Sequence, residues 1–185
     1  MKTDLSKYNN DWYKAGNKIK RVLWYFINIA FFQCKLNLFN GIKVILLRMF
    51  GTKIGKGVVI KPGVNIKCPW RLEIGDNVWI GEDVWIDNVD KVVIGNNVCI
   101  SQGALLLCAN HNYKKPNFDL LLGKIILKEG VWIGAKAIVT QNVTCYSHAI
   151  LSVGSVASSN LQEYSIYKGI PAIKIRERKI DELQP

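Results

Sequence analysis

The stretch IGDNVWIGEDVWIDNVDKVVIGNNVCI, residues 74–100, decides the fold. An aliphatic side chain opens each six-residue unit, and a small or β-branched residue usually stands four positions later. The pattern runs from residue 54 to 106 and resumes from 127 to 155. A six-residue period fits neither an amphipathic helix nor an alternating strand. It is typical of a solenoid in which three hexapeptides complete one triangular coil, and stacked coils bury both inward positions.

The spacing between coils refines this prediction. Ile54, Ile74 and Ile94 are twenty residues apart, two more than three hexapeptides contain. The small inward position fails in the third hexapeptide of each of these coils, so the extra residues fall on one side of the triangle. The sequence therefore predicts an all-β protein, a left-handed parallel β-helix of about five coils with N-terminal helices and a protruding loop.

Three segments follow from where the pattern begins and ends. Residues 1–53 lack it and carry apolar residues at helical spacing, which predicts two helices that cap the solenoid. Residues 54–159 are predicted to form the β-helix, interrupted by a loop at 109–124. Residues 160–185 are charged and leave the pattern, which predicts a C-terminal extension.

Composition limits the expected location and partners. The formal net charge of +11 favours a polyanionic partner, but the lysines are dispersed and no recognition motif appears, so nucleic acid is not expected. Five scattered cysteines without a C-x-x-C pair suit a reducing cytoplasm. The apolar run at 22–32 is too short to span a bilayer. Basic and aromatic residues at 18–26 leave open a peripheral contact with an anionic membrane, at the inner membrane face, although a helix packed on the protein body is the simpler interpretation.

Aromatic residues stand at outward positions of the hexapeptides, among them Trp79, Trp85 and Trp132. An ordinary solvated flank would carry Lys, Glu and Thr at these positions. Rows of exposed aromatic side chains are typical of a surface that is covered by another chain or element. The sequence therefore predicts self-association.

The two histidines of the chain lie in different settings. His111 stands in the one long interruption of the solenoid, and an ejected loop is more often functional than structural. A neutral imidazole suits a general base that removes a hydroxyl proton during acyl transfer. His148 lies in a regular coil and fits an ordinary surface residue. Two histidines cannot supply the three ligands of a zinc-dependent β-helix hydratase, so no metal is expected, and nothing near Cys108 in the sequence would activate it as a nucleophile.

The chain closely resembles the colanic-acid-type polysaccharide O-acetyltransferases, which belong with the galactoside and maltose acetyltransferases in the hexapeptide-repeat superfamily. The resemblance covers residues from about 20 to 178. Six stretches carry it: LRMFGTKIGKGVVIKP (47–62), PWRLEIGD (69–76), WIDNV (85–89), CISQGALLL (99–107), NHNY (110–113) and GVWIGA (130–135).

This resemblance implies transfer of an acetyl group from acetyl-CoA to a sugar hydroxyl of a saccharide or polysaccharide precursor. It implies a homotrimer with active sites between neighbouring solenoids and His111 as the catalytic base. The saccharide acceptor would lie near Asp87 and Asn88, although this pair equally fits a polar corner that hydrogen-bonds its own turn. Acetyl-CoA would lie along the later coils, with these residues in contact: Ala135, Val153, Ser158, Ser159, Lys174 and Arg176. The last two are cations that suit its phosphates.

Two other functions stay open. The acceptor would be an amino group if the protein is an N-acetyltransferase of an amino sugar nucleotide, and the product would then be an amide instead of an ester. A non-catalytic β-helix scaffold in polysaccharide assembly would bind no acetyl-CoA.

Overall fold

The structure of the protein, a computed structural model, describes residues 2–36 and 39–181. Residues 1, 37, 38 and 182–185, which belong to the segments predicted as 1–53 and 160–185, lie outside the described residues. Two α-helices precede the strands, α1 (Lys18–Ile27) and α2 (Asn40–Met49). A π-helical turn (Asn28–Gln33) continues α1, and two short 3₁₀ helices lie at Leu5–Lys7 and Pro69–Arg71.

Short strands make up the rest of the chain. In chain order they are β1 (Lys53–Ile54), β2 (Val59–Ile60), β3 (Asn65–Ile66), β4 (Leu72–Ile74), β5 (Trp79–Ile80), β6 (Trp85–Asp87), β7 (Val92–Ile94), β8 (Cys99–Ile100), β9 (Leu105–Leu107), β10 (Ala109–His111), β11 (Leu120–Leu122), β12 (Ile125–Leu127), β13 (Trp132–Ile133), β14 (Ile138–Thr140), β15 (Thr144–Cys145), β16 (Ile150–Leu151), β17 (Val156–Ala157), β18 (Ser165–Gly169) and β19 (Ala172–Glu177).

Three parallel sheets form the walls of a solenoid. Sheet A has the order β1-β4-β7-β12-β15, and sheet C has the order β17-β14-β9-β6-β3. Sheet B runs from β2 through β5, β8, β13 and β16 to β18 and β19. Five coils contribute a strand to every sheet, and a further turn adds β18 to sheet B alone. The predicted parallel β-helix is therefore confirmed.

The repeat explains why these strands stack in one register. Ile60 pairs with Ile80 and Ile80 pairs with Ile100, so the twenty-residue spacing becomes a straight column of isoleucines. All three side chains are buried. Burying one such side chain stabilises a fold by about 1.5–3 kcal/mol. The coils approach so closely that a Cβ at Gly81 would lie 2.7 Å from the backbone nitrogen of Gln102, which only glycine avoids.

The N-terminal helices lie across the open edge of the first coil. In α1, Trp24 is buried and its Nε1 donates a 2.6 Å hydrogen bond to the carbonyl of Ile66. In α2, Lys43 Nζ donates to the carbonyls of Ile60 and Lys61 at 3.2 and 3.1 Å. An unpaired edge strand needs such partners for its backbone groups. No helix among the described residues has the length and apolar character needed to cross a membrane.

The segment from residue 160, for which the pattern predicts an extension, first continues the stack. Leu161 is buried and forms a parallel bridge with Cys145. Strand β18 then pairs in parallel with β16, and β19 folds back on β18 in antiparallel fashion. The residues that cover the C-terminal end of this solenoid thus lie beyond its last regular hexapeptide.

Candidate active site

The interruption of the repeat folds as a β-hairpin. Strand β10 pairs in antiparallel fashion with β11, and His111 stands opposite Leu120. The turn between them is held by an ion pair of 2.6 Å between Lys115 Nζ and Asp119 Oδ2. The hairpin leaves the solenoid after β9 of sheet C and returns at β12 of sheet A. The solenoid therefore anchors both ends of the hairpin, and the hairpin holds His111 in a defined position.

The imidazole of His111 is held by one backbone carbonyl. Its Nδ1 lies 2.9 Å from the carbonyl oxygen of Phe118, across the hairpin. A carbonyl only accepts hydrogen bonds, so Nδ1 must carry the proton in this contact. In the neutral ring the lone pair is then on Nε2, which is the arrangement that a general base needs.

The residue that provides this carbonyl has a strained backbone. Phe118 has a φ of 50°, in the left-handed region that aromatic residues rarely adopt. Such a conformation costs about 1–2 kcal/mol. Strain of this kind is found disproportionately at functional sites, where the surrounding structure maintains it.

The N-terminal segment before α1 packs against the same hairpin. The backbone nitrogen of Asp4 donates a 2.8 Å hydrogen bond to the carbonyl of Pro116. The ring of Tyr8 meets His111 edge-on, with 5.7 Å between centroids. Aromatic contacts of this geometry stabilise a ring beyond the area that they bury. Tyr8 therefore helps to fix the imidazole, although it lies in a segment that carries no hexapeptide.

A pocket of about 450 Å³ lies beside His111. Its lining includes Tyr8, Tyr13, Lys67 and Asp87. The pocket thus brings together the predicted base and one of the two predicted acceptor residues. Tyr13 donates a 2.9 Å hydrogen bond to the carbonyl of Val89, and burial raises the pKa of Tyr13 to about 12, so its hydroxyl stays protonated.

Asp87 is a buried carboxylate with one charged neighbour. Its Oδ1 lies 2.8 Å from Lys67 Nζ. The approach lacks hydrogen-bond geometry, and Oδ1 accepts no hydrogen bond from the described residues. Oδ1 has less than 1 Å² of accessible surface, so it faces Lys67 and the protein, and Asp87 borders the pocket with the rest of its side chain.

Asn88, the other predicted acceptor residue, has a different environment. It is fully buried. Its Oδ1 accepts a 2.9 Å hydrogen bond from the backbone nitrogen of Cys68, and its Nδ2 donates one of 2.6 Å to the carbonyl of the same residue. Asn88 therefore ties its corner to the corner of the preceding coil, as the structural interpretation of the Asp-Asn pair expects, and it is absent from the pocket lining.

None of the residues expected to contact acetyl-CoA lines the His111 pocket. Ala135 and Val153 share the corner between sheets B and C, where the backbone nitrogen of Gly154 donates to the carbonyl of Ala135 at 2.9 Å. Ser158 and Ser159 follow β17, and both are exposed. Lys174 and Arg176 lie on β19, and Lys174 pairs with Glu177 at 2.6 Å. Within one chain, the pocket beside His111 is therefore formed without them.

Comparisons with known proteins decide the family. The chain is 32% identical to the putative colanic acid biosynthesis acetyltransferase WcaF of Escherichia coli K12, over 90% of this chain and 91% of the relative. The family is therefore settled. This chain belongs to the hexapeptide-repeat acetyltransferases that include the colanic acid biosynthesis enzymes. The predicted resemblance is confirmed, and the protein is an acetyltransferase of this family. No protein-family profile matches the chain.

Solved structures agree with this assignment of the fold. The hexapeptide-repeat acetyltransferase VCA0836 of Vibrio cholerae, complexed with acetyl coenzyme A, superposes with a TM-score of 0.81 at 20% identity and covers 95% of this chain and 96% of its own. AntD, an N-acyltransferase from Bacillus cereus in complex with dTDP and 3-hydroxybutyryl-CoA, has a TM-score of 0.63 at 25% identity, over 70% of this chain and 73% of its own.

Other candidate groups of this acetyltransferase have structural roles. Burial raises the pKa of the Cys108 thiol to about 12, so this residue is not a thiolate nucleophile. His148 has a φ of 60° at a coil corner, and its ring lies 4.7 Å from that of Tyr164. Within residues 2–36 and 39–181, no group of three metal-ligating side chains lies close together.

Sequence reasoning missed three residues of the site. Tyr8 and Tyr13 lie in the segment that was expected only to cap the solenoid, and no periodic pattern marks them. Lys67 could have been found from its position, because it lies twenty residues before Asp87 and therefore one coil away from it on the same side.

Proposed function

We propose that this acetyltransferase transfers an acetyl group from acetyl-CoA to a hydroxyl group of a saccharide, with His111 as the general base. The observation that carries the proposal is the 2.9 Å contact between His111 Nδ1 and the Phe118 carbonyl. It leaves Nε2 as the proton acceptor beside a pocket that contains a carboxylate. No covalent enzyme intermediate is required, because the two substrates react with each other.

The reaction proceeds by formation of a tetrahedral intermediate and its collapse. His111 Nε2 takes the hydroxyl proton while the sugar oxygen bonds to the thioester carbonyl carbon. The carbon–sulfur bond then breaks, and the departing CoA thiolate receives the proton back from the imidazolium. The Phe118 carbonyl accepts the Nδ1 hydrogen bond throughout, which stabilises the positive ring. Positioning of the two substrates supplies much of the remaining rate enhancement.

Asp87 positions the acceptor in this proposal. Its carboxylate borders the His111 pocket and accepts a hydrogen bond from a second hydroxyl of the sugar, and Lys67 balances its charge. Asn88 stays outside this role because both atoms of its amide are bonded to Cys68.

We further propose a homotrimer whose active sites lie between neighbouring solenoids. The separation of the acetyl-CoA residues from the His111 pocket supports it, because a second copy can bring the two sets together. Trp79, Trp85 and Trp132 remain exposed on sheets B and C, as an association surface requires. All five cysteines are free thiols, which fits a cytoplasmic site of action.

An N-acyl product is the second candidate. AntD, which is 25% identical and has the same fold, is an N-acyltransferase that was crystallised with the nucleotide dTDP. Thiol release from acetyl-CoA, measured against mono-, oligo- and nucleotide sugars, tests both candidates. Mass and NMR analysis of the product then separates an ester from an amide. We expect acceptor-dependent release and an ester; an amide would establish the N-acyl reaction, and failure to bind acetyl-CoA would favour the non-catalytic scaffold.

Peripheral contact with an anionic membrane is a separate proposal, which depends on the N-terminal helices alone.

A further inference from the structure

Positive charge is concentrated at one end of the molecule. Between Trp12 and Leu72 the sequence has twelve Lys and Arg residues and neither Asp nor Glu. The rest of the chain, with thirteen basic and fourteen acidic residues, is nearly neutral. The excess charge therefore belongs to the two N-terminal helices and the first coil, which lie together at the start of the stack.

The helices at this end expose more large apolar side chains than they bury. In α1 and the π-helical turn after it, Trp24 packs on the first coil through its hydrogen bond to Ile66. Six other large apolar side chains of this stretch are exposed: Ile19, Val22, Leu23, Tyr25, Phe26 and Ile29. In α2, Ile42, Ile45 and Met49 are exposed at helical spacing. A surface helix normally turns its apolar stripe towards the protein core, so these residues indicate a second apolar environment.

This surface lies at the end of the solenoid, and the rows of tryptophans lie on its flanks. Trp24 and Lys43 hold the helices on the open edge of the first coil. The side-by-side association proposed above would cover Trp79, Trp85 and Trp132, which lie on strands of sheets B and C. That association would leave the outer side of the helical cap free for another partner.

We propose that the outer side of the helical cap, formed by α1 and α2, docks on an anionic lipid bilayer. Its apolar side chains enter the interfacial region while cations such as Lys18 and Arg21 lie among the lipid headgroups. Charge complementarity selects this partner, because a cap without any carboxylate meets a surface of phosphate groups. Neither helix is long enough to span the membrane, so the protein lies on the bilayer.

Docking brings the active site close to the bilayer surface. Tyr13, Lys67 and Val89 line both the His111 pocket and the groove beside α1. His111 itself follows β9, the third strand of sheet C from the cap. Successive coils are about 4.8 Å apart, so its coil lies roughly 10 Å beyond the first one.

Co-sedimentation with lipid vesicles tests the proposal. The full chain is mixed at low salt with vesicles of phosphatidylcholine alone, or of equal parts phosphatidylcholine and phosphatidylglycerol. Two double variants remove the two contributions: Lys18→Glu with Arg21→Glu, and Val22→Ser with Phe26→Ser. The matched control, Lys124→Glu with Lys128→Glu, makes the same charge change beside β12, three strands further along sheet A than the cap.

We expect binding to the anionic vesicles only, with release at high salt. Each cap variant binds at least about tenfold more weakly, and the control changes by less than about twofold. Equal weakening by the control, equal binding to both vesicle types, or no pelleting at low salt would overturn the proposal. A change of oligomeric state in the Val22→Ser, Phe26→Ser variant would do the same, since it would identify a second copy as the occupant. Thiol release with a soluble acceptor reports on catalysis independently of the vesicle result.

Discussion

The solenoid wall and the hairpin that carries His111 differ in how their geometry is fixed. In the wall, each buried side chain packs against equivalents in the coils on either side, as Ile80 does against Ile60 and Ile100. In the hairpin, the His111 imidazole is held by three contacts, the Phe118 carbonyl, the Phe118 ring and the Tyr8 ring. The repeat commits every inward position to packing, so a catalytic side chain has to stand at an outward position or, like His111, where the repeat is broken.

The largest effect on catalysis is expected from His111→Ala. General base catalysis contributes about 10²–10⁴-fold to a rate, so thiol release should fall by about this factor. Acetyl-CoA affinity, measured by calorimetry, should stay near the wild-type value because the expected contacts lie elsewhere. His148→Asn is the matched control, since asparagine tolerates the positive φ of that corner. A near-normal rate for His111→Ala would remove the base assignment.

Replacing one leucine in the wall and one in the hairpin compares how much each region contributes to the stability of the protein. Leu106 is fully buried in β9, and Leu106→Ala should lower the free energy of unfolding by about 2–5 kcal/mol. Leu121 is exposed on β11, and Leu121→Ala should change it by less than about 0.5 kcal/mol. Denaturant unfolding at one protein concentration measures both. Equal losses would mean that the hairpin belongs to the cooperative core.

Substitutions of the neighbours Asp87 and Asn88 should have opposite effects: the first should change the KM for the saccharide, and the second should change the stability of the fold. Asp87→Asn removes a charged acceptor and should raise the KM for the saccharide by about tenfold or more, with little loss of stability. Asn88→Ala leaves the Cys68 backbone unsatisfied and should cost about 1–3 kcal/mol of stability, with a nearly unchanged KM. Saccharide titrations and unfolding curves of both variants make the comparison. A raised KM for Asn88→Ala alone would reverse the assignment.

Tyr8→Ala should have the smallest effect. An edge-on aromatic contact is worth about 0.5–1.5 kcal/mol, which corresponds to a loss of about two- to twelvefold in kcat/KM. Tyr8→Phe keeps the ring and should retain most of the activity. If Tyr8→Phe lost as much as Tyr8→Ala, the hydroxyl would be the important group instead of the ring.

Much of the solenoid could be predicted from the sequence because the spacing of its aliphatic residues equals the number of residues in each coil. The twenty-residue spacing of Ile54, Ile74 and Ile94 reappears as the register of sheet A. The last turn could not be predicted, since Leu161 lies ten residues after Leu151 and breaks the six-residue count although it is buried. A backbone bridge to Cys145, which no spacing indicates, sets its position.

The candidate site was predicted only where the sequence departs from its own repeat. His111 stood out because the hexapeptides stop before it. The contacts that orient His111 could not be predicted in this way. The hydrogen bond to Phe118 is accepted by its backbone, which its residue type does not indicate, and Tyr8 comes from a segment about a hundred residues away in sequence. The Asp87-Asn88 pair shows the same limit, since the residue types alone do not tell a pocket carboxylate from an amide that joins two corners.

The most direct test of the central claim is the tautomer of His111, measured by long-range ¹⁵N–¹H correlation NMR of the imidazoles at a pH where the rings are neutral. The chain has only two histidines, and the spectrum of His111→Ala assigns them. The Phe118 contact predicts that the proton of His111 is on Nδ1 and that Nε2 carries the lone pair. A ring protonated on Nε2 would contradict the account, because that nitrogen would have no lone pair with which to accept the sugar proton.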